Sequence, residues 1–364
     1  MAGHGEAPRV LMVLPRLETG GMECTVLAQA HQLRVAGVEV ALAPLAPGGE
    51  LEAQAAARGV PVVGTAGVTD LRSGAAFVGD AARRLGATVV HSHTGAWLPS
   101  AMAARQLGVA HVHTRHGFNP GATAAVSEFL AARATSHVVC VSEELARHGR
   151  RILRIPARRL ELLPNGADLA SLPTPVPVPA NAPPALVMVC RLAAVKNIPL
   201  VLDALRAVRA SAPRLTLTLL GDGPEREALQ ARAIALEVAD AVHFLGMVDR
   251  PWTRLPPGAV FVQSSDSEGL SLSLIEAMAM GCRVVATAVG QTASFVADAP
   301  GVRLVPPRHL PAMAAAIGAM AAMDPDEARR LEAANRAHAQ AVGGVGRVVE
   351  RLRSRYAALA HPRG

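Results

Sequence analysis

An α/β fold built as two domains, each a parallel sheet flanked by helices, is what the sequence predicts, and three observations carry that expectation. The chain has 364 residues, more than one core usually organises, so two cores of ordinary size fit. Short β-branched runs alternate with Ala/Leu/Arg-rich segments of helical period, the pattern of repeated βα units. Between the two series, Ser171 to Pro184 holds six of the 27 prolines and almost no periodicity, which marks a linker.

Composition agrees. Hydrophobic residues make up 51% of the chain and aromatics only 2%, so the cores must be filled by Ala, Val and Leu, as suits helices packed on parallel strands. In the first series the strand candidates are Arg9 to Leu14, Val38 to Pro44, Thr88 to Ser92, Ala110 to Thr114, Val138 to Val141 and Leu160 to Leu163. In the second they are Ala185 to Val189, Leu215 to Leu220, Val242 to Phe244, Ala259 to Gln263 and Arg283 to Thr287. Arg329 to Ala360 reads as helix interrupted at Gly343, Gly344 and Gly346, and Asp324-Pro325-Asp326 as a helix start with its cap. The expected layout is residues 1–168 as one Rossmann-like domain, 169–184 as the linker, 185–340 as a second, and 341–364 as helix returning to the first, with the sheets facing a central cleft. In such sheets sites lie at the carboxyl ends of strands.

A net charge of +7 attracts anionic partners mildly and falls short of a nucleic-acid arm, so nucleic acid is excluded while phosphorylated substrates or an acidic membrane surface fit. Lys196 is the sole lysine; every other cation among the Lys and Arg is arginine. Cys24, Cys140, Cys190 and Cys282 have no metal-ligand spacing and read as buried thiols of a reducing compartment. Val10 to Leu14 is too short for a signal-peptide core and Leu310 to Met323 too short for a membrane span, so a cytoplasmic protein is expected, able to dock on the inner face of the membrane.

The segment from Ser264 to Gly281 follows a strand and enters a helix. Amides at Gly269, Leu270 and Ser271 would sit at that helix's N-terminus, where partial positive charge favours a phosphate. Glu268 and Glu276 bracket the position and suit sugar hydroxyls; Ser273-Leu274-Ile275-Glu276 also fits a capping box, which would occupy Glu276 without any ligand. Arg191 and Lys196 leave the first strand of this domain in one loop, placed to meet a diphosphate. In the first domain Gly20 and Gly21 follow the first strand, and histidines gather at His91, His93, His111, His113 and His116. No carboxylate or cysteine stands near them to complete a metal site, and His91 and His93 share one strand face. Gly221-Asp222-Gly223 lacks a third glycine in register, which disfavours a dinucleotide dehydrogenase.

Glu268 and Glu276 form the E-x7-E spacing of glycosyltransferase family four, the group 1 retaining enzymes, and the surrounding EGLSLSLIEAMAMG resembles that signature closely. RLAAVKN resembles the family's R-L-x-x-x-K loop, TLLGDGPEREAL its strand and glycine turn, and LLPNGAD its domain junction. The resemblance implies a GT-B fold with an acceptor-side first domain and a nucleotide-sugar-binding second domain. It implies a retaining, metal-independent glycosyltransferase needing no cofactor, moving a sugar from a nucleotide-diphosphate sugar to a sugar, lipid-linked sugar or other hydroxyl acceptor in cell-surface glycan, glycolipid or polysaccharide synthesis. Under it Arg191 and Lys196 hold the diphosphate, Glu276 accepts from the ribose and Glu268 contacts the hexose. His116 is the main candidate near the reacting bond and His93 the second, with Gly20, Gly21, Gly269, Leu270 and Ser271 lining the donor.

The likeness thins in three places. Cys190 stands where the family commonly has glycine, Arg283 follows Cys282 where a proline is usual, and Ser294 replaces a carboxylate. A nucleotide-sugar-binding partner subunit without turnover and a GT-B-fold epimerase are the alternatives. Arg147, Arg150, Arg151, Arg154, Arg158 and Arg159 make a basic stretch able to meet anionic headgroups.

Overall fold

The computed structural model describes residues 7–18, 20–64, 67–118, 121–175, 179, 183–248 and 250–360. Residues 176–178 and 180–182 of the expected linker lie outside that description. The chain divides into two compact units, Met1–Gly166 with Val345–Gly364, and Ala167–Gly344.

Strands β1 (Arg9–Leu14), β2 (Glu39–Pro44), β3 (Val89–His93), β4 (Ala110–Arg115), β5 (His137–Cys140) and β6 (Leu160–Leu162) form the sheet of the first unit. They are parallel, in the order β2-β1-β3-β4-β5-β6. β1 is apolar from Val10 to Leu14 and wholly buried there, as a strand covered on both faces must be. Its alternate residues feed two cores. Val10, Met12 and Leu14 meet Val26 and Leu33, whereas Leu11 and Val13 meet Val78, Ala82 and Ala103. Helix Gly346–Ala360 supplies Val348, Val349, Leu352 and Tyr356 to the first of these, each burial stabilising by roughly 1.5–3 kcal/mol.

The second unit holds β7 (Ala185–Val189), β8 (Thr216–Leu220), β9 (Val242–Gly246), β10 (Val260–Gln263), β11 (Arg283–Thr287) and β12 (Val302–Val305). These too are parallel, in the order β12-β11-β10-β7-β8-β9. β12 is not among the strands expected from sequence. It is a four-residue edge strand whose central Arg303 and Leu304 are exposed, so no apolar alternation announces it. Helix Pro325–Val342 begins at Asp324, whose carboxylate accepts from the amides of Asp326 (2.9 Å) and Glu327 (3.1 Å).

The cysteines correct one expectation. Cys140 and Cys282 are buried, Cys190 is half-buried, and Cys24 is exposed, because the first turn of helix Gly21–Val35 turns it away from the face that packs. No helix among the described residues is long and apolar enough to cross a membrane.

Candidate functional site

β7 and β10 lie side by side although two strands separate them in sequence. From β7 the chain runs outward to β8 and β9 and then returns to β10 on the other flank. Loops leaving β7 and β10 therefore diverge, and a crevice opens at their carboxyl ends. Both charged motifs leave from this point.

The loop after β7 is stacked on the turn after β8. Leu192 N–H donates to Asp222 O (2.9 Å) and Glu225 N–H to Leu192 O (3.1 Å). A Cβ on Gly223 would sit 2.3 Å from Leu192 O, so this close approach needs the glycine. The same loop is tied to the segment after β10: Asp266 N–H donates to Val195 O (2.9 Å), Ser264 Oγ to Lys196 O (2.7 Å) and Asn197 Nδ2 to Asp266 Oδ1 (3.1 Å). Lys196 Nζ closes the join by ion-pairing with Glu268, whose Oε1 also accepts from Ser265 Oγ (2.8 Å). Cys190, Lys196, Ser265, Glu268 and Ser271 line a small cavity here. Burial pushes the Cys190 thiol up to about 11, so it stands neutral beside the ammonium. Arg191 is exposed, and among the described residues its guanidinium has no hydrogen-bond partner.

Behind Glu268 lies the turn after β11. Gly290 has φ 55°, and a Cβ there would fall 1.8 Å from Glu268 O, while Gln291 N–H donates to Gly269 O (3.1 Å). Ser294 is exposed and turns its hydroxyl back onto Gln291 O (3.0 Å), so the position of the missing carboxylate serves its own turn.

The capping-box expectation for Glu276 is overturned. Helix Leu272–Ala279 starts two residues earlier than that reading requires: Ser271 is the N-cap, and its hydroxyl accepts from Leu274 N–H (3.4 Å). Glu276 therefore lies two residues past the position from which it could close a capping box. Its Oε2 instead accepts from the indole N–H of Trp252 (3.0 Å), and burial pushes its carboxyl up to about 7. Leu270 is buried with Ala167 and Ile275, so its side chain packs while Gly269 and Ser271 flank it at the helix start. Trp252 was missed because nothing in its spacing from Glu276 announces contact.

In the first sheet the corresponding divergence falls between β1 and β3. Gly20 and Gly21 open helix Gly21–Val35 after β1, with Gly20 at the N-cap. His93 ends β3, and the next residue, Thr94, has φ 45°. The histidines do not gather in one place. Strand register puts His91 and His93 on one face and His111 and His113 on the other. His111 Nε2 and His113 Nδ1 share hydrogen bonds with Ser92 Oγ (2.9 and 2.8 Å), and His113 stacks on Trp97 at 3.9 Å. On the opposite face His91 bonds Tyr356 OH (2.5 Å) and Thr114 Oγ1 (2.8 Å), and His93 Nδ1 pairs with His116 Nε2 (3.0 Å). His93 Nε2 and His116 Nδ1 are buried without a partner among the described residues. Burial holds all five below the ordinary imidazole range, His116 at about 4, so they are neutral near pH 7. Among the described residues no three His, Cys, Asp or Glu side chains are placed to hold a metal ion.

The profile of glycosyltransferase family 4 matches residues 19–171, and that of the group 1 glycosyl transferases matches residues 183–323. The chain belongs to the group 1 glycosyltransferases of family 4. Among its curated relatives, a component of the human phosphatidylinositol N-acetylglucosaminyltransferase is 27% identical over 216 residues, 56% of this chain and 44% of the human one. The D-inositol 3-phosphate glycosyltransferase of Streptomyces griseus is 40% identical over 121 residues, 32% of this chain and 25% of that one. The matched part thus spans about half or less of these relatives' length. Solved structures share the fold across nearly the whole chain. A Rickettsia africae glycosyltransferase aligns with TM-score 0.82 at 16% identity, covering 99% of this chain and 100% of that one. HepE of Anabaena, solved in complex with UDP, aligns with TM-score 0.81 at 19% identity, covering 96% and 100%. The fold is GT-B, with two Rossmann-like units.

Proposed function

We propose that the protein is a retaining glycosyltransferase that moves a sugar from a nucleotide-diphosphate sugar to a hydroxyl acceptor in glycan, glycolipid or polysaccharide synthesis. The observation that carries this is the join at the ends of β7 and β10, where Lys196, Glu268 and the start of helix Leu272–Ala279 come together beside an Arg191 that has no partner among the described residues. A diphosphate needs fixed cations and amide donors, and a sugar needs carboxylate acceptors. In this reading Arg191 and Lys196 hold the diphosphate and offset charge on the leaving phosphate, taking the part that a metal ion takes elsewhere. Glu268 accepts from the sugar, and Gly269 to Ser271 present amides. The leaving phosphate takes the acceptor proton on the same face of the sugar, so positioning and charge stabilisation replace a dedicated protein base. Residues 185–340 bind the donor; residues 1–168 take the acceptor, with His116 and His93 near the reacting bond and Gly20 and Gly21 along the donor.

The test is a panel of nucleotide sugars screened by thermal shift, followed by transfer or donor hydrolysis. A bound donor at about 100 times its Kd should stabilise by roughly 2.7 kcal/mol. Turnover that survives in both Lys196→Ala and Glu268→Ala would remove the reading.

For the acceptor we propose a lipid-linked sugar met at an anionic membrane surface. Helix Ala122–Ala134 exposes Val126 (61%) and Leu130 (53%) together with Phe129, over which Arg133 lies at 3.4 Å. Arg147, Arg150, Arg151, Arg154 and Arg158 are also exposed, as is Ile152, while Arg159 donates to Thr135 O (2.9 Å). Basic side chains beside apolar ones suit headgroups over acyl chains. Sedimentation with vesicles that does not depend on anionic lipid would sink this part.

A further inference from the structure

Trp252 is one of only two tryptophans in the chain, and it sits in the short turn Pro251–Arg254 with 6% of its surface exposed. The turn is closed by Thr253, whose amide (3.0 Å) and hydroxyl (2.9 Å) both donate to Arg250 O. The indole packs against Phe261 of β10, ring centroids 6.3 Å apart. The ring is thus buried within a core cluster of the second unit. Its N–H meets Oε2 of Glu276 at 3.0 Å. Among the described residues no other donor reaches this carboxylate.

A buried indole N–H requires an acceptor, and a backbone carbonyl would satisfy it as well. Spending it on a carboxylate that is itself half-buried has a further effect. It selects one rotamer of Glu276 and favours its ionised form against burial and the like charge of Asp168.

We infer that Trp252 is a positioning residue for the ribose of the donor: its indole fixes Oε2 of Glu276 and leaves Oε1 as the carboxylate oxygen that accepts from a ribose hydroxyl. This rests on the nucleotide-site reading above and adds a residue to it. A consequence is that preference for ribose over deoxyribose in the bound nucleotide is set by two residues on different elements. It also rises with pH through the range in which Glu276 ionises.

The experiment uses the full chain with 15N-labelled indoles, in which Trp97, bonded to Thr135 Oγ1 at 2.8 Å in the other unit, serves as internal reference. One indole resonance should titrate with a midpoint near 7 and stop titrating in Glu276→Gln. The same resonance should move when a ribonucleoside diphosphate (UDP, GDP or ADP) is added, and move less with its deoxyribose counterpart. In binding measurements Trp252→Phe, which keeps the aromatic contact and drops the N–H, should cut the ribose preference about fivefold at neutral pH. It should also shift the pH midpoint of that preference upward. If Trp252→Phe keeps the preference that Glu276→Gln abolishes, or if neither indole responds to Glu276→Gln, the inference is overturned while the nucleotide site stands. Absence of binding by all three diphosphates to the wild-type chain would overturn both. The resonance experiment needs no Trp252 variant, so it decides the matter even where Trp252→Phe does not fold.

Discussion

The two sheets place polar side chains at equivalent points, the carboxyl ends of strands beside a change of direction, yet they fill those points with opposite chemistry. In the second sheet the residues are Arg191, Lys196 and Glu268, an arginine beside an ion pair that is partly exposed. In the first they are His93 and His116, buried imidazoles held neutral and bonded to one another. The same βα architecture thus makes one region that can meet fixed charge on a ligand and another that offers only dipoles and hydrogen bonds. Burial decides the difference, since an ammonium near the surface stays hydrated while a desolvated imidazolium does not.

Five measurements would break or sharpen that contrast. Lys196→Ala should have the largest effect, lowering kcat/KM by about 100- to 1000-fold, the scale on which single charge-stabilising groups act. A loss below tenfold would mean that the charged region does not meet the reacting phosphate. Gly290→Ala places a Cβ against Glu268 O at a φ of 55° and should cost roughly 1–3 kcal/mol in thermal or denaturant unfolding. An unchanged Tm would show that the turn behind Glu268 yields easily. His116→Ala should reduce turnover about tenfold. With His116 near 4, its imidazole resonances should not titrate between roughly pH 6 and 8, and a midpoint in that range would contradict a neutral first region.

The smallest effect concerns stability. Glu276 has a folded value near 7 against 4.5 when free, so the folded chain keeps a proton that the unfolded chain releases. Stability is therefore lost as pH rises from about 4.5 to about 7. Glu276→Gln should unfold later than the wild type above that window, by about 1 kcal/mol after solvent screening, and the gain should vanish below it. Melting curves at pH 4 and pH 8 with the same displacement would contradict the burial of Glu276.

Much of this was legible in sequence because buried parallel strands are written as uninterrupted apolar runs, as in β1 and β11. β12 escaped because an edge strand with an exposed centre carries no such run. At the site, sequence spacing brought Arg191, Lys196 and Glu268 to one end of a sheet, since each follows a strand by a few residues. It could not choose between two serines as helix cap, because Ser271 and Ser273 are equally suited and only tertiary packing of Leu274 and Ile275 selects the register. Nor could it divide the histidines, for which the pairing of β3 with β4 is required. Trp252 depends on a contact between separate elements, for which a single sequence holds no local sign.

Tyr356 closes on His91 from helix Gly346–Ala360, so the first core is completed by residues that follow the whole of the second unit in sequence. During synthesis, then, β1 and its neighbours wait with one face uncovered while residues 167–344 are made, and the second unit is the one able to finish first. A fragment ending near residue 168 would leave the contact surface for Val348, Val349 and Leu352 open to water. Such a fragment should be handled as an aggregation-prone intermediate, and a split of the chain intended to yield both halves should carry residues 345–360 with the first.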